Sequence, residues 1–221
     1  MKKLNIIQIS DLHGNFPFID SIAGKIKSAD LVALSGDITN FGGRRRAAEI
    51  VDAVLSLNPA VVAIAGNWDR AGVGEYLRET DVSVDGAVRE INGFIVCGLG
   101  GSLPAPVPAP NELSEEQFRS RLKKLAAVSA SPDILIIHQP PANTKLDRIS
   151  SGPHVGSEAV KDYIERSGAI VCLTGHIHES SGIDELGKTK VVNPGAARQG
   201  RYAVIGIEGR SVSVELKTGE G

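Results

Sequence analysis

Short apolar runs, each followed by polar residues, recur along this chain of 221 residues. Five of these runs are continuous and rich in valine, isoleucine and leucine: residues 4–9, 31–34, 61–65, 134–137 and 170–173. Strands that are buried on both faces have this composition, because none of their positions faces water. The pattern therefore predicts five parallel strands inside the protein.

Segments with a helical spacing of apolar residues lie between these runs. We predict helices at residues 16–27, 44–57, 116–128 and 157–166. Ser114 and Ser157 stand at the start of the last two, where a hydroxyl can accept a hydrogen bond from a free backbone N–H group. Together, the buried strands and the helices between them predict an α/β fold.

The remaining segments predict antiparallel hairpins and one stiff loop. Residues 182–193 and 201–216 each contain two short strands around a turn, and residues 82–98 contain two similar strands. The stretch "LPAPVPAP" at residues 103–110 cannot join a sheet, because its prolines lack backbone N–H groups. We interpret it as a surface connection that could wall a cleft, and we expect a single domain over residues 1–221.

The charge and composition argue against several classes of partner. The chain carries 24 basic and 26 acidic residues, a formal charge of −2, so no global positive field attracts nucleic acid or membranes. No run approaches the ~18 apolar residues of a membrane span, and polar residues interrupt the first residues too early for a signal peptide. Cys97 and Cys172 lie in apolar runs, which favours buried thiols over a disulfide. We expect a cytoplasmic protein that does not bind membranes, and the charge disfavours nucleic acid as a partner without excluding a local basic patch.

Residues that can bind a cation follow every one of the five apolar runs. They are Asp11, His13, Asp37, Asn67, His138, His176 and His178. The carboxyl ends of parallel strands meet at one edge of a sheet, which is where α/β proteins bind ligands. In an extended chain, residues two apart point the same way, so Asp11 can face the same ion as His13, and His176 the same ion as His178. Gly36, Gly66 and Gly175 permit the tight turns that such a close approach needs.

We interpret this set of side chains as a metal site. His138 taken alone would more often be an ordinary loop histidine. The whole set is different, because close carboxylates and imidazoles repel one another or stay unsatisfied without a cation. Two aspartates, an asparagine and four histidines exceed the needs of one ion, so we predict two divalent ions. Oxygen and nitrogen ligands without thiolate favour manganese, with iron, zinc, nickel and cobalt as alternatives.

The same residues carry a resemblance to a known family. The motifs "DLH", "GD", "GN-x-D", "HQPP" and "GHIH", in this order, resemble those of the calcineurin-like metallophosphoesterases, a superfamily of dinuclear phosphatases, phosphodiesterases and nucleases. The sequence "NPG" at residues 193–195 matches a further motif, so the resemblance covers nearly the whole chain. It implies a four-layer αββα sandwich with two mixed sheets.

The resemblance also implies a role for each candidate ligand. One ion would be held by Asp11, His13 and His178, the other by Asn67, His138 and His176, with Asp37 bridging the two. Two such ions share a hydroxide that attacks phosphorus in line, and the resemblance places Asn67 and His138 in catalytic positions beside it. The expected partner is a small phosphoester substrate.

One motif position departs from the family. Many members read "GNHD" or "GNHE", with a histidine thought to protonate the leaving group or hold a phosphate oxygen, whereas this chain has its only tryptophan, Trp68. Asp69 would orient that histidine, and we interpret it here as support for the turn. Trp68 and His154 are the candidate substrate-binding residues. For His154, which precedes a predicted helix, a phosphate contact and an ordinary loop position stay equally open.

The complete set of ligands favours a dinuclear metallophosphoesterase over a binding protein. Trp68 favours diesters as substrates, because an indole cannot be the general acid that monoesters of poor leaving groups need. One alternative is a catalytically weak scaffold for protein–protein interaction, against which the intact ligands weigh. The other is a nuclease, which would need a basic groove or an appended DNA-binding region.

Overall fold

The computed structural model describes residues 2–129 and 131–219, and two sheets form the centre of this part of the chain. Strands are numbered along the sequence. The first sheet consists of β1 (Lys3–Ile9), β2 (Leu31–Ser35), β3 (Val61–Ile64), β10 (Arg201–Glu208) and β11 (Ser211–Thr218). The second consists of β4 (Val88–Ile91), β5 (Phe94–Leu99), β6 (Ile134–Ile137), β7 (Val171–Leu173), β8 (Gly182–Leu186) and β9 (Thr189–Asn193).

Both sheets are mixed. The strand order is β11-β10-β1-β2-β3 in the first sheet and β4-β5-β6-β7-β9-β8 in the second. Strands β1, β2 and β3 are parallel, as are β5, β6, β7 and β9, while the hairpin strands pair antiparallel to their neighbours. Parallel pairing aligns the carboxyl ends of the central strands within each sheet.

Helices cover the outer faces of both sheets. They are α1 (Phe16–Ser21), α2 (Ala23–Ser28), α3 (Arg44–Leu57), α4 (Ala71–Glu79), α5 (Glu115–Val128) and α6 (Glu158–Ser167). The caps predicted for the last two are confirmed: the Ser114 hydroxyl accepts from the backbone N–H of Gln117 at 3.2 Å, and the Ser157 hydroxyl from that of Val160 at 3.1 Å. None of the described helices is long and apolar enough to cross a bilayer.

Three apolar cores join the four layers. Neighbouring side chains on a strand point to opposite faces of its sheet, so Ile7 of β1 packs under α1 to α4, while Ile6 packs between the two sheets. In β6, Ile136 joins the core between the sheets, and Leu135 packs under α5 and α6. This two-sided burial explains why the strands read as continuous apolar runs. The predicted αββα sandwich is confirmed.

The predicted strands and helices agree with the structure except in two helical segments. The helix expected at residues 16–27 is interrupted at Ile22, whose φ of −114° and ψ of 15° leave helical geometry just before a weak helix former, Gly24. Helix α4 was not predicted, because its two glycines lower the helical propensity of the segment. One of them, Gly72, lies so close to the start of α3 that an added Cβ would come within 2.9 Å of the backbone nitrogen of Arg44.

Candidate metal centre

One group of possible ligand atoms lies where β1 and β7 end. The Nε2 atom of His178 lies 3.0 Å from Oδ1 of Asp11 and 3.4 Å from Nε2 of His13. The same nitrogen of His13 lies 3.9 Å from Oδ1 of Asp11. These atoms converge on one point, so the three residues could hold a metal ion.

A second group lies beside the first, where β1, β2 and β6 end. Asp11, Asp37 and His138 form another set of atoms that could hold an ion. Oδ2 of Asp37 lies 3.6 Å from Nε2 of His138 and also 3.6 Å from Nε2 of His13. This one carboxylate therefore faces both groups, in the place where a bridging ligand would lie.

Asn67 and His176 complete the surroundings of the second group. Oδ1 of Asn67 lies 3.1 Å from Nε2 of His138. The imidazole ring of His176 lies 5.3 Å from that of His138, and the backbone N–H of His176 donates to Oδ2 of Asp11 at 3.2 Å. The structure thus gathers all seven predicted ligands at one end of the two sheets.

The chemistry of this donor set fits divalent cations. The facing nitrogens of His13 and His178 lie beside the carboxylates of Asp11 and Asp37, so nitrogen and oxygen atoms that can bind a cation converge on the same space. Nδ1 of His13 is buried, and it has no hydrogen-bond partner within residues 2–129 and 131–219. Nδ1–H of His138 donates to the carbonyl of Ser35 at 2.8 Å, which leaves Nε2 of that ring to bind a cation.

The pKa values of the candidate ligands indicate which of them carry a proton that a bound cation would displace. Burial opposes the charge of Asp11, but the hydrogen bond from His178 and the charges of His138 and His178 outweigh it and hold the pKa of Asp11 below its usual range. Burial lowers the pKa of His13, and burial together with His138 lowers the pKa of His176 to about 4, so both rings are neutral near pH 7. At His138 burial is outweighed by Asp37, which raises the pKa to about 9. A cation that binds His138 at neutral pH must therefore displace a proton.

Four of the candidate ligands have a left-handed backbone. Their φ angles are 56° at Asp11, 47° at His13, 50° at Asp37 and 69° at His176. Such conformations are unfavourable outside glycine and persist where the surrounding structure holds them, which is common at functional sites. The extended backbone expected around Asp11 and His13, and around His176 and His178, is therefore wrong, although the residues between them, Leu12 and Ile177, are buried.

Two of the predicted glycines allow the strand ends to approach one another. An added Cβ at Gly66 would overlap Oδ1 and the backbone nitrogen of Asp37. An added Cβ at Gly175 would overlap the hydroxyl of Ser10 and come within 2.7 Å of Oδ2 of Asp11. Any larger residue at either position would displace a candidate ligand.

Asp69 and Asn193 hold the turns that carry the ligands. The buried carboxylate of Asp69 accepts from the backbone N–H groups of Ile38, Thr39 and Gly66 at 2.8–3.0 Å, which joins the turns after β2 and β3. Burial and the nearby charge of Asp37 raise the pKa of Asp69 to about 6. Asn193 of the "NPG" motif donates to the carbonyl of Ile177 at 2.9 Å and so holds the turn between the two last histidines. The interpretation of Asp69 as support for its turn agrees with these contacts.

The two candidate substrate-binding residues lie in different surroundings. The half-buried ring of Trp68 lies 5.0 Å from that of His13, and its backbone N–H donates to Oδ1 of Asp37 at 2.8 Å. His154 instead contacts the buried carboxylate of Asp147 at 2.7 Å, on the loop that precedes α6. Within the part of the chain that the structure describes, no hydrogen-bond partner of His154 is a candidate ligand. Its contact with phosphate stays a prediction.

Two further features at the centre come from long-range contacts. Nη2 of Arg198 lies 3.0 Å from Nδ1 of His178, a contact that no sequence motif indicated. The proline-rich stretch 103–110 is fixed at both ends: the backbone N–H of Leu103 donates to Oε1 of Gln139 at 2.9 Å, and that of Asn111 to the carbonyl of Asn67 at 3.0 Å. The stretch therefore begins and ends beside the ligand-bearing turns, where it can wall a cleft.

Comparison with known proteins agrees with this geometry. The Calcineurin-like phosphoesterase superfamily domain matches residues 4–210. The chain therefore belongs to this superfamily of metallophosphoesterases, which hydrolyse phosphoric esters.

Three known proteins are similar to this chain over most of its length. An uncharacterized protein of Methanocaldococcus jannaschii is 33% identical over 200 residues, which cover 88% of this chain and 89% of that protein. A protein of Synechococcus sp. named "Probable cyclic nucleotide phosphodiesterase" is 27% identical over 194 residues, 80% of this chain and 74% of that protein. The crystal structure of a Thermus thermophilus protein shares the fold, with a TM-score of 0.75 and 21% identity over 96% of this chain and 98% of that one.

Proposed function

We propose that this protein hydrolyses small phosphodiesters with the help of two bound divalent cations, manganese being the expected metal. The observation that carries this proposal is the position of Asp37, whose Oδ2 lies 3.6 Å from a nitrogen of each of the two ligand groups. A site for a single ion would not need a carboxylate between two separate sets of imidazoles. When bound, the cations supply Lewis acidity that stabilises the charge of the phosphoryl group.

Each residue of the candidate centre would have a separate role in binding or orienting the two cations. Asp11, His13 and His178 would hold one cation, and Asn67, His138 and His176 the other, with Asp37 between them. Ser35 fixes the ring orientation of His138 through Nδ1. The backbone N–H of Trp68 orients the carboxylate of Asp37 through Oδ1, which leaves Oδ2 to face the two ligand groups.

The preference for diesters rests on the side chain of Trp68. It lies beside the ring of His13, at the position from which a titratable group could reach a leaving group, yet an indole N–H does not ionise near neutrality. A diester with a good leaving group depends less on a general acid than a monoester does. The name of the Synechococcus relative points to the same class of substrate.

We expect two divalent ions per chain. Protein purified without chelator and titrated with Mn²⁺ should approach this stoichiometry in elemental analysis, because both ligand groups are complete. The variant His154→Ala removes the one histidine outside the ligand set and should still take up two ions. A stable content of zero or one ion per chain at saturating metal would contradict a dinuclear site.

The reaction itself is tested with two substrates that share one leaving group. We expect the manganese-loaded protein to hydrolyse diphenyl phosphate with a kcat/KM at least about tenfold above that for phenyl phosphate, since the poorer phenolate leaving group depends on a general acid more strongly in the monoester than in the diester. Asp11→Ala should abolish both activities and so exclude a contaminating enzyme. A preference for the monoester would refute the assignment to diesters, and no turnover of either substrate with two ions bound would favour a scaffold.

A further inference from the structure

Two adjacent aromatic rings, one exposed and one half-buried, border the candidate metal centre. The rings of Phe41 and Trp68 lie 4.5 Å apart with an angle of 36° between their planes, and the Trp68 ring contacts the ring of His13 with its centroid 5.0 Å away. Phe41 is 37% exposed. We call these two residues the aromatic shelf. It offers apolar surface to solvent directly beside a candidate ligand.

The backbone of Phe41 is in a conformation that a phenylalanine disfavours. Its φ angle is 54°, in the left-handed region that glycine and asparagine adopt most readily. Among the described residues, Phe41 is the only apolar one with a positive φ; the other non-glycine residues of this kind are aspartates, asparagines and histidines. Phe41 is not a core residue, because more than a third of it faces water.

The turn that carries Phe41 is held in place from both sides. The backbone N–H of Thr39 donates to Oδ1 of Asp69 at 2.8 Å, and the carbonyl of Gly42 accepts from the backbone N–H of Arg70 at 3.2 Å. Both partners belong to the turn that carries Asn67 and Trp68. The fold thus fixes an aromatic residue with an unfavourable backbone conformation and a partly exposed ring against Trp68.

We propose that the aromatic shelf binds a nucleobase of the substrate by stacking. The proposal rests on the phosphoesterase function proposed above, because the shelf adjoins the place where the phosphate would bind. A nucleotide matches this arrangement, because it joins a charged phosphate, which would bind at the metal centre, to a flat base, which would stack on the shelf. The binding free energy from stacking a base on an aromatic side chain is also of the same order as the free-energy cost of one unfavourable backbone conformation.

Trp68 permits a direct test, because it is the only tryptophan in the chain and its emission reports on the shelf. Metal-saturated protein is titrated with adenosine 5′-monophosphate, with excitation at the red edge of the indole band, where the nucleotide does not absorb. Ribose 5-phosphate, which lacks the base, is the matched ligand. We expect saturable quenching of Trp68 by the nucleotide and no quenching by the sugar phosphate.

Variants at Phe41 separate binding from stability. Phe41→Asn removes the ring and suits the positive φ, so it should weaken nucleotide binding about tenfold while the melting temperature stays equal or rises. Phe41→Tyr keeps the ring and should keep the affinity. Asp81→Gly relieves a φ of 55° at a position outside the site and should leave nucleotide binding unchanged.

Two results would overturn the proposal: no quenching by the nucleotide, or a Phe41→Asn variant that melts earlier and binds the nucleotide as the wild type does. The second result would make Phe41 a packing residue. The proposed function fails separately. A protein that binds the nucleotide through Phe41 but hydrolyses no phosphodiester would support base stacking on the shelf and refute the proposed phosphodiesterase activity. A protein that hydrolyses phosphodiesters but does not bind the nucleotide through Phe41 would refute base stacking alone.

Discussion

Asp37→Asn should lower kcat at saturating metal by about 10²-fold or more, whereas His154→Ala should retain most of the activity. Oδ2 of Asp37 faces both ligand groups, so the substitution removes negative charge from both ions at once. The amide oxygen of asparagine can still accept from the backbone N–H of Trp68, so the turn itself should persist. His154 contacts Asp147 on a separate loop and touches no candidate ligand among the described residues.

The measurement combines kinetics with metal content. We expect the Asp37→Asn variant to bind fewer than two ions per chain and to keep the far-ultraviolet circular dichroism of the wild type. His154→Ala controls for the loss of a histidine elsewhere in the protein. Equal losses of kcat in the two variants would show that Asp37 has no special place between the ions.

The fold could be predicted from the sequence wherever burial alone dictated the pattern. The run at residues 134–137 reads as four apolar residues because Ile136 packs between the sheets and Leu135 packs under helices, so neither face tolerates a polar side chain. Helix α4 could not be predicted in this way. Its Gly72 is required by the close approach of α3, a tertiary contact that works against local helical propensity.

The candidate site could be predicted as a set of residues, but its backbone could not. Parallel strands align their carboxyl ends, so a ligand after each strand is enough to predict that the ligands meet. The left-handed conformations of Asp11 and Asp37 depend on how the turns are held by other parts of the chain, as Asp69 does for the turn after β2. Arg198 and Phe41 were missed for the same reason, since only the folded chain places them beside His178 and Trp68.

Trp68→His should increase the hydrolysis of monoesters, most strongly for those with poor leaving groups. A well-placed general acid contributes ~10²–10⁴-fold, and we expect a gain of at least about tenfold in kcat/KM for phenyl phosphate. We expect a gain at or below the bottom of that range, because the carboxylate of Asp69 already accepts hydrogen bonds from the backbone N–H groups of Ile38, Thr39 and Gly66. It would therefore do little to orient an introduced imidazole.

The control for this substitution is Trp68→Phe, which also removes the indole but introduces no titratable group. If the absent general acid explains the preference for diesters, Trp68→Phe should show no gain on phenyl phosphate, and the gain in Trp68→His should be smaller for p-nitrophenyl phosphate, whose leaving group needs less protonation. The gain should also decline as pH rises through the pKa of the introduced imidazole, because only its protonated form can donate. Equal gains in the two variants would mean that the indole obstructs monoesters by its size, and the preference for diesters would then be a matter of shape rather than of proton transfer.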